Sequence, residues 1–167
     1  MTTPIIKWAG GKTRLLPELL TRLPRWAPGR YFEPFAGGAA LFFRLGPRNA
    51  TLADANADLI AMYRSVQTDV EQVIKCLHQH KREHEVARTS VDGENTYYYR
   101  VRELWNNPRV SWLPSQHAAA FIYLNKTCFN GLWRVNSKGE FNVPAGKYNY
   151  HCTPHLAMNM RGTITVQ

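Results

Sequence analysis

The feature that most limits how this chain can fold is a pattern met twice in succession: a short β-prone run, a turn, and an amphipathic helix. The first copy, RYFEPFAGGAALFFRL, predicts a strand over Tyr31 to Pro34, a tight turn at Gly37 and Gly38, and a helix through Leu45. The second, NATLADANADLIAMYRSV, predicts a strand from Ala50 to Ala53 that ends in Asp54, then a helix starting near Asn56 or Asp58, both good N-caps. Two consecutive β-α units imply a parallel sheet covered by helices. Ahead of them, Leu15, Leu16, Leu19, Leu20 and Leu23 recur at helical spacing, and Pro24 with PGR closes that helix.

After Val66 the strands give way to helices. Val70, Val73, Ile74 and Leu77 carry an amphipathic period whose solvent side continues into HQHKREHE, and SVDGEN breaks it. TYYYRVRELWNN reads as a basic, aromatic helix stopped by Pro108, and SQHAAAFIYLNK as a buried one. Two β-prone runs flank NSKG in LWRVNSKGEFNVP, which predicts a hairpin, and RGTITVQ begins a β-branched strand. The 167 residues, 44% of them apolar, suit one ordinary domain with a real core.

Charge points to the partner. There are 21 Lys and Arg against 12 Asp and Glu, a net +9, the footprint of a polyanion binder; a generally basic solvated surface is the alternative. Met1 to Thr96 holds 13 basic and 10 acidic residues, whereas Tyr97 to Gln167 holds 8 and 2, so a nucleic-acid face should lie mostly in the second half. With no run of 18 apolar residues and no signal-peptide pattern at MTTPIIKWAGG, a cytoplasmic address is expected. Cys76, Cys128 and Cys152 form no CxxC pair, so they are expected to be reduced thiols. His80 and His84 share a helix face near His78, but neither they nor HCTPH has the partners of a zinc site, and no metal is assigned.

KWAGGKT looks like the tail of a phosphate loop. However, Ile6 stands where the first glycine of such a loop belongs, and Trp8 would crowd the cradle. EPFAGGA followed by Asp54, 16 residues beyond Gly38, is closer to the way doubly wound folds hold an adenosine-containing cofactor: glycines let the ligand approach the backbone and a carboxylate accepts ribose hydroxyls. The short glycine motif suits a cofactor without phosphates; a purely structural turn is the alternative.

Taken together, KWAGGK, EPFAGGAALF, LADANADLI and YLNKTCFNGLWRVNSKGEFNVPAGKY resemble the Dam-type adenine-specific DNA methyltransferases from Lys7 to about Tyr148. The resemblance implies an α/β, Rossmann-like methyltransferase fold with an incomplete sheet and an inserted, mainly helical DNA-recognition segment carrying a β-hairpin. Its parts would be 1–66 (cofactor-binding), 67–150 (DNA recognition) and 151–167 (return to the sheet). It implies S-adenosylmethionine as cofactor and double-stranded DNA as partner, with an adenine flipped from the duplex and methylated at N6. By motif position, Trp8, Gly10, Gly11, Lys12, Phe35, Gly37, Gly38 and Asp54 face the cofactor. Lys7, Asn130, Leu132 and Arg134 face bases, and Phe129 sits where the family often has a tyrosine that enters the stack. Such an arginine can make two hydrogen bonds to guanine, and Phe129 and Leu132 are apolar wedges; the alternative is that Phe129, Leu132 and Trp133 are core beneath a hairpin. Arg100, Arg102, Lys126, Lys138 and Lys147 are available for phosphates. Similarity in the hairpin suggests a GATC-like site.

The family's catalytic motif, of the form Asp-Pro-Pro-Tyr, would follow the hairpin, and the chain contains no Pro-Pro pair; NNPRV is the nearest approach. No catalytic residue is therefore assigned. The expectation is a truncated gene or fragment, one half of a split enzyme, or a non-catalytic DNA-binding module. The chain alone is expected to be inactive, and to associate with itself or with a complementary catalytic polypeptide.

Overall fold

The computed structural model describes residues 2–23, 29–89, 95–146, 148–151 and 161–164. A 3-10 turn at Lys12–Leu15 runs into helix α1 (Leu16–Arg22). Strand β1 (Tyr31–Glu33), helix α2 (Ala40–Leu45) and strand β2 (Ala50–Leu52) follow, and β1 pairs parallel with β2, Tyr31 opposite Ala50 and Glu33 opposite Leu52. The β-α-β reading of the sequence is thus met by a small parallel sheet in a helix-dominated molecule. Of the two N-cap candidates, Asn56 caps helix α3 (Ala57–Thr68), its Oδ1 accepting from Leu59 N–H at 2.9 Å. Asp69 does the same for helix α4 (Val70–Arg88) through Gln72 N–H at 3.1 Å.

Helices α5 (Thr96–Asn106) and α6 (Pro114–Thr127) complete the helical part. Ala118 through Asn125 are all buried, so α6 is covered on every side. Ala118, Phe121 and Ile122 pack with Ile6, Leu59, Met62 and Val73, while Ala120, Tyr123 and Leu124 pack with Tyr98, Val101, Phe141 and Val143. One helix therefore joins the β-α units to the α5–hairpin region. Among the described residues no helix is long and apolar enough to cross a membrane.

Four expectations are modified. HQHKREHE is not simply a solvent side: His84 is buried with its Nδ1 2.8 Å from the Tyr123 hydroxyl, and His80 Nδ1 lies 2.8 Å from that of Tyr97. These imidazoles serve as aromatic core, stacking at 4.9 Å between His80 and Tyr123. The hairpin is short, with one bridge between Val135 and Phe141 and a turn closed by Asn136 N–H to Glu140 C=O at 2.9 Å. The terminal strand, β4 (Arg161–Ile164), pairs antiparallel with an unforeseen β3 (Tyr148–His151), Tyr148 opposite Ile164, rather than with β1 or β2. Phe129, Leu132 and Trp133 do not act as one group: Trp133 lies 4.0 Å from Phe121 and 4.5 Å from Phe141, ring to ring, whereas Phe129 is 51% exposed and Leu132 is exposed too. Cys76 and Cys128 are free thiols. Pro24, SVDG, Lys147 and most of HCTPH lie outside the described residues.

Candidate cofactor cleft and DNA-reading loop

The N-terminal motif is a turn before it is anything else. Gly11 N–H donates to Trp8 C=O at 2.9 Å, and Gly10, third in that turn, has φ +74°, the left-handed value a type II turn demands there. The turn sets Trp8 against the glycine motif of the next unit. Gly37 has φ +48°, and a Cβ on it would stand 2.7 Å from Trp8 Cδ1, so this position excludes a side chain twice over. Ala39 (φ +50°), rather than Gly38, supplies the second left-handed residue before α2.

A carboxylate holds this turn in place. Asp54, at the end of β2, accepts from Gly37 N–H through Oδ2 at 2.9 Å and from Asn56 N–H through Oδ1 at 3.0 Å. Tyr63 donates from its hydroxyl to Gly37 C=O at 2.8 Å. Burial first, and then the charges of Glu33 and Asp54, raise the Tyr63 pKa well above the ordinary phenol range, so it remains a donor at all working pH values. Glu33 is buried at the end of β1 and accepts from the Tyr31 hydroxyl at 2.8 Å.

Trp8, Gly10, Gly11, Lys12, Phe35, Gly37, Gly38 and Asp54, predicted from separate motifs, all line one cleft, joined there by Glu33 and Ala36. Phe35 is 79% exposed at its edge. The cleft offers the open backbone of Gly10, an aromatic wall in Trp8, and a carboxylate with lone pairs left for hydroxyls, the features a phosphate-free adenosine cofactor would use. Sequence reasoning missed Glu33, although the acid directly preceding the glycine turn was a usable signal.

The second candidate group sits on the turn after α6. Phe129–Gly131 form one 3-10 turn in which Asn130 (φ +54°) and Gly131 (φ +62°) are both left-handed. Phe129 N–H donates to Pro144 C=O at 2.8 Å and Gly146 N–H to Thr127 C=O at 2.9 Å, stitching the turn to the returning strand of the hairpin. Gly146 is obligatory in this packing, since a Cβ would lie 2.5 Å from Phe129 Cα. The Lys7 side chain covers Gly131 in the same way, with 2.6 Å between Lys7 Cβ and a Cβ built on Gly131. Beneath them Cys128 donates to Leu132 C=O at 3.2 Å, and burial pushes its thiol up to about 12.

Arg134 is exposed and braced across the hairpin, its Nε donating to Asn142 Oδ1 at 2.9 Å. Lys138 stands at the hairpin tip, its N–H donating to Asn136 Oδ1 at 2.9 Å, and Lys126 is half-buried in the last turn of α6. Arg100 is engaged elsewhere, at the seam of α4 and α5, 3.3 Å from Glu83 and 4.8 Å above the Tyr97 ring. Arg102 donates to Val143 C=O at 3.1 Å. Lys7, Phe129, Asn130, Leu132 and Arg134 thus converge on one loop and its flanks, with Arg100 outside that group. Asn125, which sequence reasoning passed over, ties the loop to Lys7; its one signal was a lone amide in an apolar helical run.

Comparison with known proteins gives the family. Type II methyltransferase M.MjaIII of Methanocaldococcus jannaschii is 40% identical over 155 residues, covering 87% of this chain and 52% of that protein. The DNA adenine methylase of Haemophilus influenzae is 39% identical over 153 residues, covering 90% of this chain and 49% of its own. The chain therefore spans about half the length of these curated relatives. The family model for D12 class N6 adenine-specific DNA methyltransferases matches residues 8–164, from Trp8 in the cleft through the turn after α6 to β4, and the chain belongs to that family.

Proposed function

We propose that this chain supplies the S-adenosylmethionine pocket and the DNA-reading surface of an adenine-N6 DNA methyltransferase. The observation that carries this reading is the convergence of eight residues from three separate motifs on one cleft, with an exposed apolar and cationic loop beside it. In this reading 1–66 form the cofactor-binding part of a Rossmann-like domain, 67–150 an inserted DNA-recognition segment, and 151–167 the return to the domain. S-adenosylmethionine would supply an electrophilic methyl group. Trp8 and the glycine backbone would hold it, and Asp54 would accept its ribose hydroxyls. Phe129 and Leu132 would fill the stack as a base leaves it, and Arg134 would read a guanine edge.

Methyl transfer also needs acceptors for the protons of the adenine amine, whose lone pair is delocalised into the ring. Asp-Pro-Pro-Tyr does not occur in the 167 residues. The chain alone should therefore bind without methylating, and a polypeptide bearing such a motif should restore transfer.

Titration of S-adenosylmethionine and duplex DNA into the purified chain tests the reading. Saturable binding of both is expected, with DNA affinity falling steeply as salt rises. Failure to bind either ligand sinks it, and DNA binding without any cofactor affinity favours a non-catalytic DNA-binding module. N6-methyladenine made from labelled cofactor by the chain alone would refute the claim of inactivity.

A further inference from the structure

One buried amide connects the two sites. Asn125, on α6 and 0% exposed, accepts from Lys7 N–H through Oδ1 at 3.0 Å and donates from Nδ2 to Lys7 C=O at 2.8 Å. It thus pairs with the Lys7 peptide groups as a neighbouring strand would. Its second Nδ2 hydrogen goes to Gly131 C=O at 3.1 Å. The reversed amide would put oxygen against two carbonyls, so the orientation is fixed by chemistry. Lys7 is the residue before Trp8, the aromatic wall of the cleft, and Gly131 is the residue after Asn130 in the reading loop.

Lys7 N–H and C=O thus depend on the same side chain that holds a left-handed glycine in place. Gly131 is also pressed by the Lys7 stem, so the Lys7 backbone cannot shift without moving the turn. We propose that Asn125 is a positioning residue that couples cofactor occupancy of the cleft to the geometry of the DNA-reading loop. This rests on the proposed function. A ligand that fixes Trp8 fixes Lys7, and through the amide fixes Phe129 to Gly131 in the reading conformation. Linkage requires DNA on the loop to strengthen binding in the cleft by the same factor.

A buried asparagine that merely stabilised the core would, when replaced, lower stability and weaken both ligands, leaving the ratio between free and co-liganded affinities unchanged. The test therefore reads that ratio. Dissociation constants of the full chain are measured for S-adenosylhomocysteine with and without a saturating GATC duplex, and for the duplex with and without S-adenosylhomocysteine. The wild type should show a coupling factor of at least about fivefold, equal in both directions. Asn125→Asp retains the acceptor for Lys7 N–H and loses both donors. Its coupling should fall to within about twofold of unity, while its affinity for S-adenosylhomocysteine alone stays within about threefold of wild type.

Hydrogen exchange on the wild type keeps the question open to refutation should that variant not fold. S-adenosylhomocysteine should slow exchange at 129–132 as well as at 8–11, and duplex DNA should slow 8–11. If both ligands bind without mutual coupling, if Asn125→Asp keeps the wild-type factor, or if protection stays local to each ligand, this inference fails and the proposed function stands. A wild-type chain that binds neither ligand overturns both.

Discussion

The cleft and the reading loop both depend on left-handed backbone, and they hold it by opposite means. In the cleft, Gly10, Gly37 and Ala39 stand at positive φ within short local turns, closed by backbone hydrogen bonds at Gly10 and Ala39 and, at Gly37, by a carboxylate and a phenol at the edge of the site itself. In the loop, Asn130 and Gly131 stand at positive φ on top of the buried helix α6, and the restraints come from Asn125 below, Pro144 beside and Lys7 across. The cleft is shaped by side chains that are missing, so that Trp8 can close against Gly37. The loop presents side chains that are exposed, and in the proposed function these are the ones that would reach a base. The first should be sensitive to added atoms, and the second to whatever lies under it.

The largest effect should come from undermining the loop. Trp133 is wedged among Phe121, Phe141 and Trp105, and Trp133→Ala should destabilise the chain by about 3–4 kcal/mol in urea unfolding. Phe129→Ala, four residues earlier and half exposed, should change stability by no more than about 0.5 kcal/mol while weakening DNA binding. Equal costs for the two would erase the distinction between support and surface.

Acid should separate the regions almost as strongly. Burial lowers His80 from 6.5 to about 4, with Tyr97 and Tyr123 around its ring and the Arg100–Glu83 pair on the same α4–α5 seam. Between these values the unfolded chain takes up a proton that the folded chain refuses. Stability is therefore fully present above pH 6.5 and is lost as pH falls toward 4, by about 3 kcal/mol. His80→Phe should flatten that slope in thermal unfolding followed from pH 7 to 4.5. An unchanged slope would place the acid sensitivity elsewhere.

The difference between the regions also explains what the sequence could disclose. Glycine turns, caps and helical periods are local, so Gly10, Gly37 and the helix start beside Asn56 are legible in the sequence, while the grouping of the eight cleft residues came from the family resemblance of their motifs. The partners of the loop are distant in sequence. Asn125 reaches back to Lys7 and Gly146 forward from the hairpin, and no short-range pattern announces a contact between them. HQHKREHE misleads for the same reason: histidine reads as polar until the hydroxyls of Tyr97 and Tyr123, contributed by two later helices, give its nitrogens a buried partner. β3 has no apolar alternation of its own in YNYH, and its partner β4 lies ten residues further on.

A methyl group placed in the cleft is the next sharpest probe. In Gly37→Ala the new Cβ meets both a left-handed φ and the Trp8 ring at 2.7 Å. Displacing Trp8 should cost about 2 kcal/mol, or roughly thirtyfold in affinity for S-adenosylhomocysteine. Because Trp8 bears on the loop only through Lys7 and Asn125, DNA affinity without cofactor should fall by less than cofactor affinity does. If DNA binding alone collapsed instead, the two sites would not be separable in the way their restraints suggest.

The smallest effect should be the most specific. Arg134 is exposed, so its removal leaves no cavity, and its brace is a hydrogen bond from Nε to Asn142 Oδ1 at 2.9 Å with a longer one from Nη2 to Asn142 C=O at 3.5 Å. The longer bond is readily given up to a base edge, and a bidentate contact to guanine is worth about 1–3 kcal/mol of discrimination. Arg134→Ala should therefore reduce the preference for a GATC duplex over a permuted one by about tenfold, with urea midpoint and cofactor affinity unchanged. Arg134→Lys should recover part of the overall affinity through the phosphates and little of the preference, because a point charge cannot supply the planar pair of donors. The two substitutions separate charge from shape: full recovery by lysine would mean that this position binds backbone, and that the reading of sequence lies with Asn130 or Lys7.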